Sequence, residues 1–192
     1  MIAPASLRPV PFLRLTLANF LGEDPAALMF AYGPRRRPRL DGCGARPQFS
    51  LSHSEDLALL AISWASPLGV DVESVKLLTD RDSMAAQIMH PIELALFERI
   101  PEHQRTTAFF RLWTRKEAAL KAIGTGFLTE PRSLFVGFDH TGEEPEIMLN
   151  GRPCVVHDVT VSAGHIAAVC GPQAAALELH HLHTRDLPEA TA

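Results

Sequence analysis

Phe110-Arg111-Leu112-Trp113-Thr114-Arg115-Lys116-Glu117-Ala118-Ala119-Leu120-Lys121-Ala122-Ile123 reads as the C-terminal part of a long helix. The helix runs from about Glu102 to Ile123 and is broken by Gly124 and Gly126. Phe109, Leu112, Trp113, Leu120 and Ile123 form an apolar stripe for packing. Phe110, Thr114, Glu117 and Lys121 lie along a neighbouring stripe. The ordinary reading of Glu117 and Lys121 is an exposed ion pair one turn apart, worth about 0.3–0.5 kcal/mol. Trp113 at this spacing is more often core than a ligand platform, and Lys116 reads equally well as a solvated charge.

Working outward, helix and strand signals alternate. Val10 to Leu21 has helical apolar spacing with Gly22 as its stop, and Ala27 to Tyr32 reads as a short strand. Gln48 to Ser52, Leu57 to Trp64 and Gly69 to Glu73 read as further strands, and Pro91 opens a helix to about Ile100. Leu134 to Phe138, Glu146 to Leu149, Cys154 to Val161 and His165 to Cys170 complete the strands, ahead of a polar tail from Leu182. A faint echo between Ser52–Leu60 and Ser162–Val169, each a serine-containing turn feeding an apolar strand, hints at two related halves.

Asp71 and Glu73 lie two apart on a strand, so both carboxylates share a face while Val70 and Val72 turn to a core. Like charges on one face repel unless a cation sits between them, and a hard divalent ion with oxygen ligands is one solution. A solvent-facing strand with two ordinary acids is the plainer one. His53, between Ser52 and Ser54 at a strand end, is either polar punctuation or a phosphate donor. The run Arg35, Arg36, Arg37 and Arg39, interleaved with Pro34 and Pro38, is a loop suited equally to solvent and to phosphate.

The 192 residues are 46% hydrophobic, enough for one large domain or two small fused halves. No apolar run reaches the ~20 residues of a membrane span and no signal-peptide pattern opens the chain, so a cytoplasmic protein without membrane contact is expected. The net charge of −4 argues against a general nucleic-acid binder. Cys43, Cys154 and Cys170, odd in number and without C-x-x-C spacing, fit buried or incidental thiols better than a disulfide framework or zinc site.

Taken in order, Phe49-Ser50-Leu51-Ser52-His53-Ser54, Gly69-Val70-Asp71-Val72-Glu73 and Phe110 to Phe127 with its W-x-x-K-E-x-x-x-K block and following G-x-G resemble the 4′-phosphopantetheinyl transferases. The likeness is to the surfactin-synthetase-activating type, with holo-acyl-carrier-protein synthases in the same superfamily, and it spans roughly Leu13 to Cys170. The resemblance implies an α+β fold of two pseudo-two-fold related halves. Each would be a small antiparallel sheet packed on a long helix, with the active site in the cleft between them. The halves would be residues 1–75, lacking the family's first strand, and residues 76–175 with the catalytic helix; 176–192 would form a polar tail.

The same resemblance implies the chemistry: transfer of the phosphopantetheine arm of coenzyme A to a serine of an apo acyl or peptidyl carrier protein, releasing 3′,5′-adenosine bisphosphate. Asp71, Glu73 and Glu117 would hold magnesium, Glu117 and Lys121 would be catalytic, and Arg37, Ser52, His53, Lys116 and Lys121 would bind coenzyme A. Glu117, directly or through a metal-bound water, would take the serine proton. Arg111 and Arg115 are expected to receive the acidic helix of the carrier. Fatty acid, polyketide and nonribosomal peptide pathways all use this arm, and a monomer is the simplest assembly. Two other readings compete: an impaired homologue that only docks carrier or coenzyme A, and a magnesium-dependent nucleotide pyrophosphatase. The second accounts for the acids but not for the W-x-x-K-E block.

Overall fold

A computed structural model describes residues 9–33, 37–64, 68–124, 129–137, 146–149, 151–173, 178 and 180. The tail expected from Leu182, with Arg35 and Arg36 of the basic run, lies outside them.

The chain is a mixture of helices and antiparallel sheet. Helix α1 (Pro9–Leu21) precedes strands β1 (Met29–Tyr32), β2 (Pro38–Asp41), β3 (Gln48–Ser54), β4 (Leu57–Ser63) and β5 (Gly69–Ser74). Helices α2 (Arg81–Ile88), α3 (Pro91–Phe97) and α4 (Glu102–Ile123) follow, then β6 (Glu146–Leu149), β7 (Arg152–Val159) and β8 (His165–Pro172). Strands β1–β2 and β3–β4 are hairpins, while β5, β8, β7 and β6 form a four-stranded antiparallel sheet in that order. Strand β5 is therefore hydrogen-bonded to β8, with Asp71 opposite Ala168 and Glu73 opposite Ile166.

Helix α4 covers one face of this sheet. Phe109, Phe110, Leu112, Ala118 and Ala119 of α4 pack with Ile147, Leu149, Cys154, Val156, Ala168 and Cys170. The other face buries Val70, Val72, Ala167 and Val169 against Leu57 and Leu59 of β4. A third cluster joins Leu13, Leu17 and Ala18 of α1 to Leu28, Leu40 and Phe49. No helix among the described residues is long and apolar enough to cross a membrane. The cysteines are free, Cys43 exposed and the other two buried, and burial pushes the Cys170 thiol up to about 12.

Two departures from the sequence reading have clear causes. Leu134 to Phe138 was expected as a strand, yet 134–137 have no strand structure and Phe138 is not described. Buried ionic side chains take the place of a neighbouring strand there. Lys116 Nζ donates to the Leu134 carbonyl, Arg115 Nη1 donates to the Gly137 carbonyl at 3.2 Å, and Glu93 Oε1 accepts from Val136 N at 2.7 Å and Gly137 N at 3.2 Å. Helix α2 has only two buried residues, Arg81 and Ala85, so it carries too little apolar periodicity to be read from sequence.

The approach of β5 to α4 is set by one residue. A β-carbon on Gly69 would stand 2.0 Å from the Ala118 carbonyl oxygen and 2.6 Å from Ala122 N. Only a glycine lets the two backbones touch there, and the small Ala118 and Ala122 on the helix complete the contact. Gly69→Ala should therefore destabilise the fold by about 3 kcal/mol, read from the urea midpoint, since neither backbone can yield without moving an entire element.

Candidate active site

The site grows from β5 against two neighbours, β3 and α4. Strand β3 does not share a backbone ladder with β5, and three serines bridge the gap. Ser50, Ser52 and Ser54 alternate along β3, so their hydroxyls leave one face. Their Oγ atoms accept from Val70 N at 3.1 Å, Val72 N at 3.4 Å and Ser74 N at 2.9 Å. Each outward amide on the edge of β5 is thus satisfied by a side chain. Two of these hydroxyls donate onward. Ser52 Oγ donates to Asp71 Oδ1 at 2.8 Å, and Ser54 Oγ donates to Glu73 Oε2 at 3.3 Å.

Asp71 is almost fully buried, at 4% exposure. Lys121 Nζ from α4 donates to its Oδ1 at 2.7 Å, to Ser52 Oγ at 3.1 Å and to the Val70 carbonyl at 3.1 Å. Those three contacts use all three N–H donors of the ammonium. Asp71 Oδ2, by contrast, is buried without a hydrogen-bond partner. Burial raises the Asp71 carboxyl above the usual range; the charge of Lys121 and the hydrogen bonds from Lys121, Ser52 and the Val72 amide only partly oppose it. Glu73 is held from the far side by Trp113, whose Nε1 donates to Glu73 Oε1 at 3.3 Å while its ring stacks on Phe109.

Glu117 lies half-buried one turn before Lys121 on α4. Burial is the main cause of its raised proton affinity; the negative charges of Asp71 and Glu73 add to it and Lys121 opposes it. Three carboxylates thus share one electrostatic environment, although their oxygens are not among the described groups that converge within 4.8 Å. Magnesium needs only one or two carboxylates directly, because it keeps waters and phosphate oxygens in its shell. The all-oxygen donor set and the partnerless Asp71 Oδ2 fit such an ion.

The other residues singled out in the sequence lie elsewhere. Lys116 is 1% exposed and turned inward, with Nζ 2.7 Å from Glu93 Oε2 and donating to the Pro131 carbonyl at 3.0 Å and to that of Leu134. Arg37 donates to the Lys121 carbonyl at the end of α4, to Leu68 O at 3.0 Å and to Phe49 O at 3.4 Å. It thereby complements the negative end of the helix dipole and joins β3 and the residue before β5 to α4. His53 is exposed, and the alternation of β3 turns it away from the face that carries Ser52. Arg115, expected on a docking surface, is instead 1% exposed with Nε donating to Asp158 Oδ1 at 2.6 Å. Burial removes it from any carrier surface. Its neighbour Arg111 is half-buried and reaches Asp158 Oδ2 at 3.4 Å.

Sequence reasoning missed Ser54 and Glu93. The serine period along β3 carried the signal for the first. For the second, the signal was His90-Pro91-Ile92-Glu93, a helix start whose Glu93 Oε2 accepts from His90 N at 2.8 Å in a capping box.

Comparison with known proteins gives the family. The family model described as the 4′-phosphopantetheinyl transferase superfamily matches residues 67–170, which contain β5, α4 and every carboxylate of the site. The chain belongs to that superfamily. It is similar to the 4′-phosphopantetheinyl transferase HetI of Nostoc sp., 39% identical over 116 residues, covering 59% of this chain and 49% of the relative. The Synechocystis sp. protein slr0495 is 36% identical over 115 residues, 59% of this chain and 47% of the relative. This chain spans about half the length of these relatives. A 4′-phosphopantetheinyl transferase of Bacillus subtilis is 27% identical over 162 residues, 82% of this chain and 69% of the relative. A solved structure, the holo-[acyl-carrier-protein] synthase of Thermotoga maritima, aligns at a TM-score of 0.35 and 20% identity over 54% of this chain and 61% of that one.

Two outcomes follow from the electrostatics. A raised carboxyl in the folded state means the folded protein holds a proton that the unfolded chain has released, so stability falls as pH rises from the ordinary glutamate range through the folded value. Glu117→Gln should therefore raise the Tm of metal-free protein at about pH 7, and the difference should close near pH 3, where glutamate is protonated in both states. Glu93→Ala should lose about 3–5 kcal/mol in denaturant unfolding, because Lys116 is left buried without its partner.

Proposed function

We propose that this chain transfers the 4′-phosphopantetheine arm of coenzyme A to a serine of an apo carrier protein, releasing 3′,5′-adenosine bisphosphate, with magnesium as the metal. One observation carries the reading: a buried aspartate with one oxygen fixed by Ser52 and Lys121 and the other lacking a partner, beside Glu73 and Glu117, inside the segment the family matches.

In this reading Asp71, Glu73 and Glu117 hold the magnesium, which when bound neutralises the pyrophosphate and the charge that builds on the departing bisphosphate. The carrier serine oxygen attacks the β-phosphorus, the phosphoanhydride bond breaks, and the electron pair leaves with adenosine bisphosphate. Glu117 takes the serine proton, directly or through water. Ser52 and Lys121 are positioning residues, because their hydrogen bonds are spent on Asp71. Ser54 and Trp113 do the same for Glu73. Lys116 and Arg37 shape the fold around the site, leaving His53 as the exposed candidate for the adenosine end of coenzyme A.

The division at residues 75 and 76 remains part of the proposal. So do the pseudo-two-fold relation, the cleft between halves and the monomeric state. The bond between Asp71 and Lys121 joins residues from the two segments, as a site shared by both halves requires. Carriers of fatty acid, polyketide and nonribosomal peptide synthesis are the candidate partners.

Incubation with an apo carrier, coenzyme A and magnesium should add the mass of one phosphopantetheine arm to the carrier in intact mass spectrometry. Glu117→Ala and Asp71→Ala should each slow the gain by at least about 100-fold. Coenzyme A binding without any mass gain on several carriers would overturn transfer in favour of a binding module.

A further inference from the structure

At the hairpin tip beyond Ser54, a different set of side chains converges. Glu55 and Asp56 form the two-residue turn between β3 and β4, since Ser54 pairs with Leu57. His165 opens β8 and pairs with Ser74 of β5. Their potential ligand atoms all lie within 4.8 Å of one another.

Two exposed acids at a turn would by themselves mean nothing. The histidine supplies the independent observation. Its side chain is only 9% exposed, yet Nε2 is enclosed and has no hydrogen-bond partner. Asp56 Oδ1 is 3.6 Å away, beyond hydrogen-bond reach. The other ring nitrogen, Nδ1, lies 3.4 Å from Ser162 Oγ, a contact that orients the ring with Nε2 toward the acids. A buried nitrogen without a partner is costly unless something fills the position.

We propose that Glu55, Asp56 and His165 form a second metal site, for a zinc-type divalent ion rather than for magnesium. One imidazole nitrogen with two carboxylates is a donor set that zinc accepts, with water in the fourth position, whereas magnesium prefers oxygen alone. Two carboxylates also leave the site electrically neutral once the ion is bound. Tetrahedral zinc would draw the ligand atoms to about 3.4 Å apart. The exposed side chains of Glu55 and Asp56 can swing inward to reach that spacing, and the enclosed imidazole stays in place. The ion would clip the hairpin tip to the sheet beside Ser74, where Ser54 Oγ already holds the Ser74 amide and Glu73. The proposal stands whether or not the chain transfers phosphopantetheine.

The test is equilibrium dialysis with zinc chloride in excess magnesium, added to compete for oxygen-only sites. The parent is the full chain carrying His180→Ala, His181→Ala and His183→Ala, so that the histidines of the tail do not bind the probe. One equivalent of zinc should be retained, and zinc should raise the Tm. His165→Ala and Asp56→Ala should each weaken binding by at least about tenfold and abolish the Tm rise. Should His165→Ala fail to fold, Asp56→Ala decides, because its side chain is 70% exposed. No retained zinc, or retention that both variants leave unchanged, would overturn the site.

Discussion

The whole arrangement depends on one buried carboxylate. Asp71 sits where β3, β5 and α4 meet, and Lys121 and Ser52 converge on one of its oxygens, partly offsetting the cost of burying the carboxylate. The contact is electrostatic and structural together. It draws the end of α4 onto β5, seats β3 beside both, and leaves Asp71 Oδ2 as an acceptor with nothing to accept from. That unpartnered oxygen is the atom through which the proposed metal would be held.

Around this point the protein uses polar side chains as backbone substitutes. Three serines of β3 stand in for the missing ladder of β5, so a strand edge that would otherwise be open is closed. Glu93, Lys116 and Arg115 do the same for the segment 134–137, which passes beneath α4 without a partner strand. Each of these buried ions is paired as well as hydrogen-bonded, which is the condition for burying charge without a large penalty. Glu117 sits on a helix face whose neighbours, Arg115 and Lys116, are both locked inward.

Much of this was legible in the residues. The helix bounds Glu102–Ile123 follow from spacing and from Gly124, which adopts a φ of 73°, the left-handed conformation that glycine takes readily at a helix end. The alternation of β5 sorted Val70 and Val72 from Asp71 and Glu73, and burial of the valines on the opposite face agrees with it. The charged residues beside the site were less legible. Arg115 and Lys116 look in sequence like surface cations, and nothing local says that Asp158 and Glu93, 43 and 23 positions away, will meet them.

The sequence by itself determined the periodic elements, the family motifs and the shared face of Asp71 and Glu73, because period and spacing are properties of the local chain. Only the tertiary structure decided which ions are buried and which oxygen goes without a partner. It also decided that Lys121 binds Asp71 rather than pairing with Glu117 one turn away. Those outcomes depend on Gly69 admitting the α4 backbone and on serines meeting β5 amides across a gap between sheets. Such contacts join residues far apart in the chain, and no local pattern encodes the distance between them.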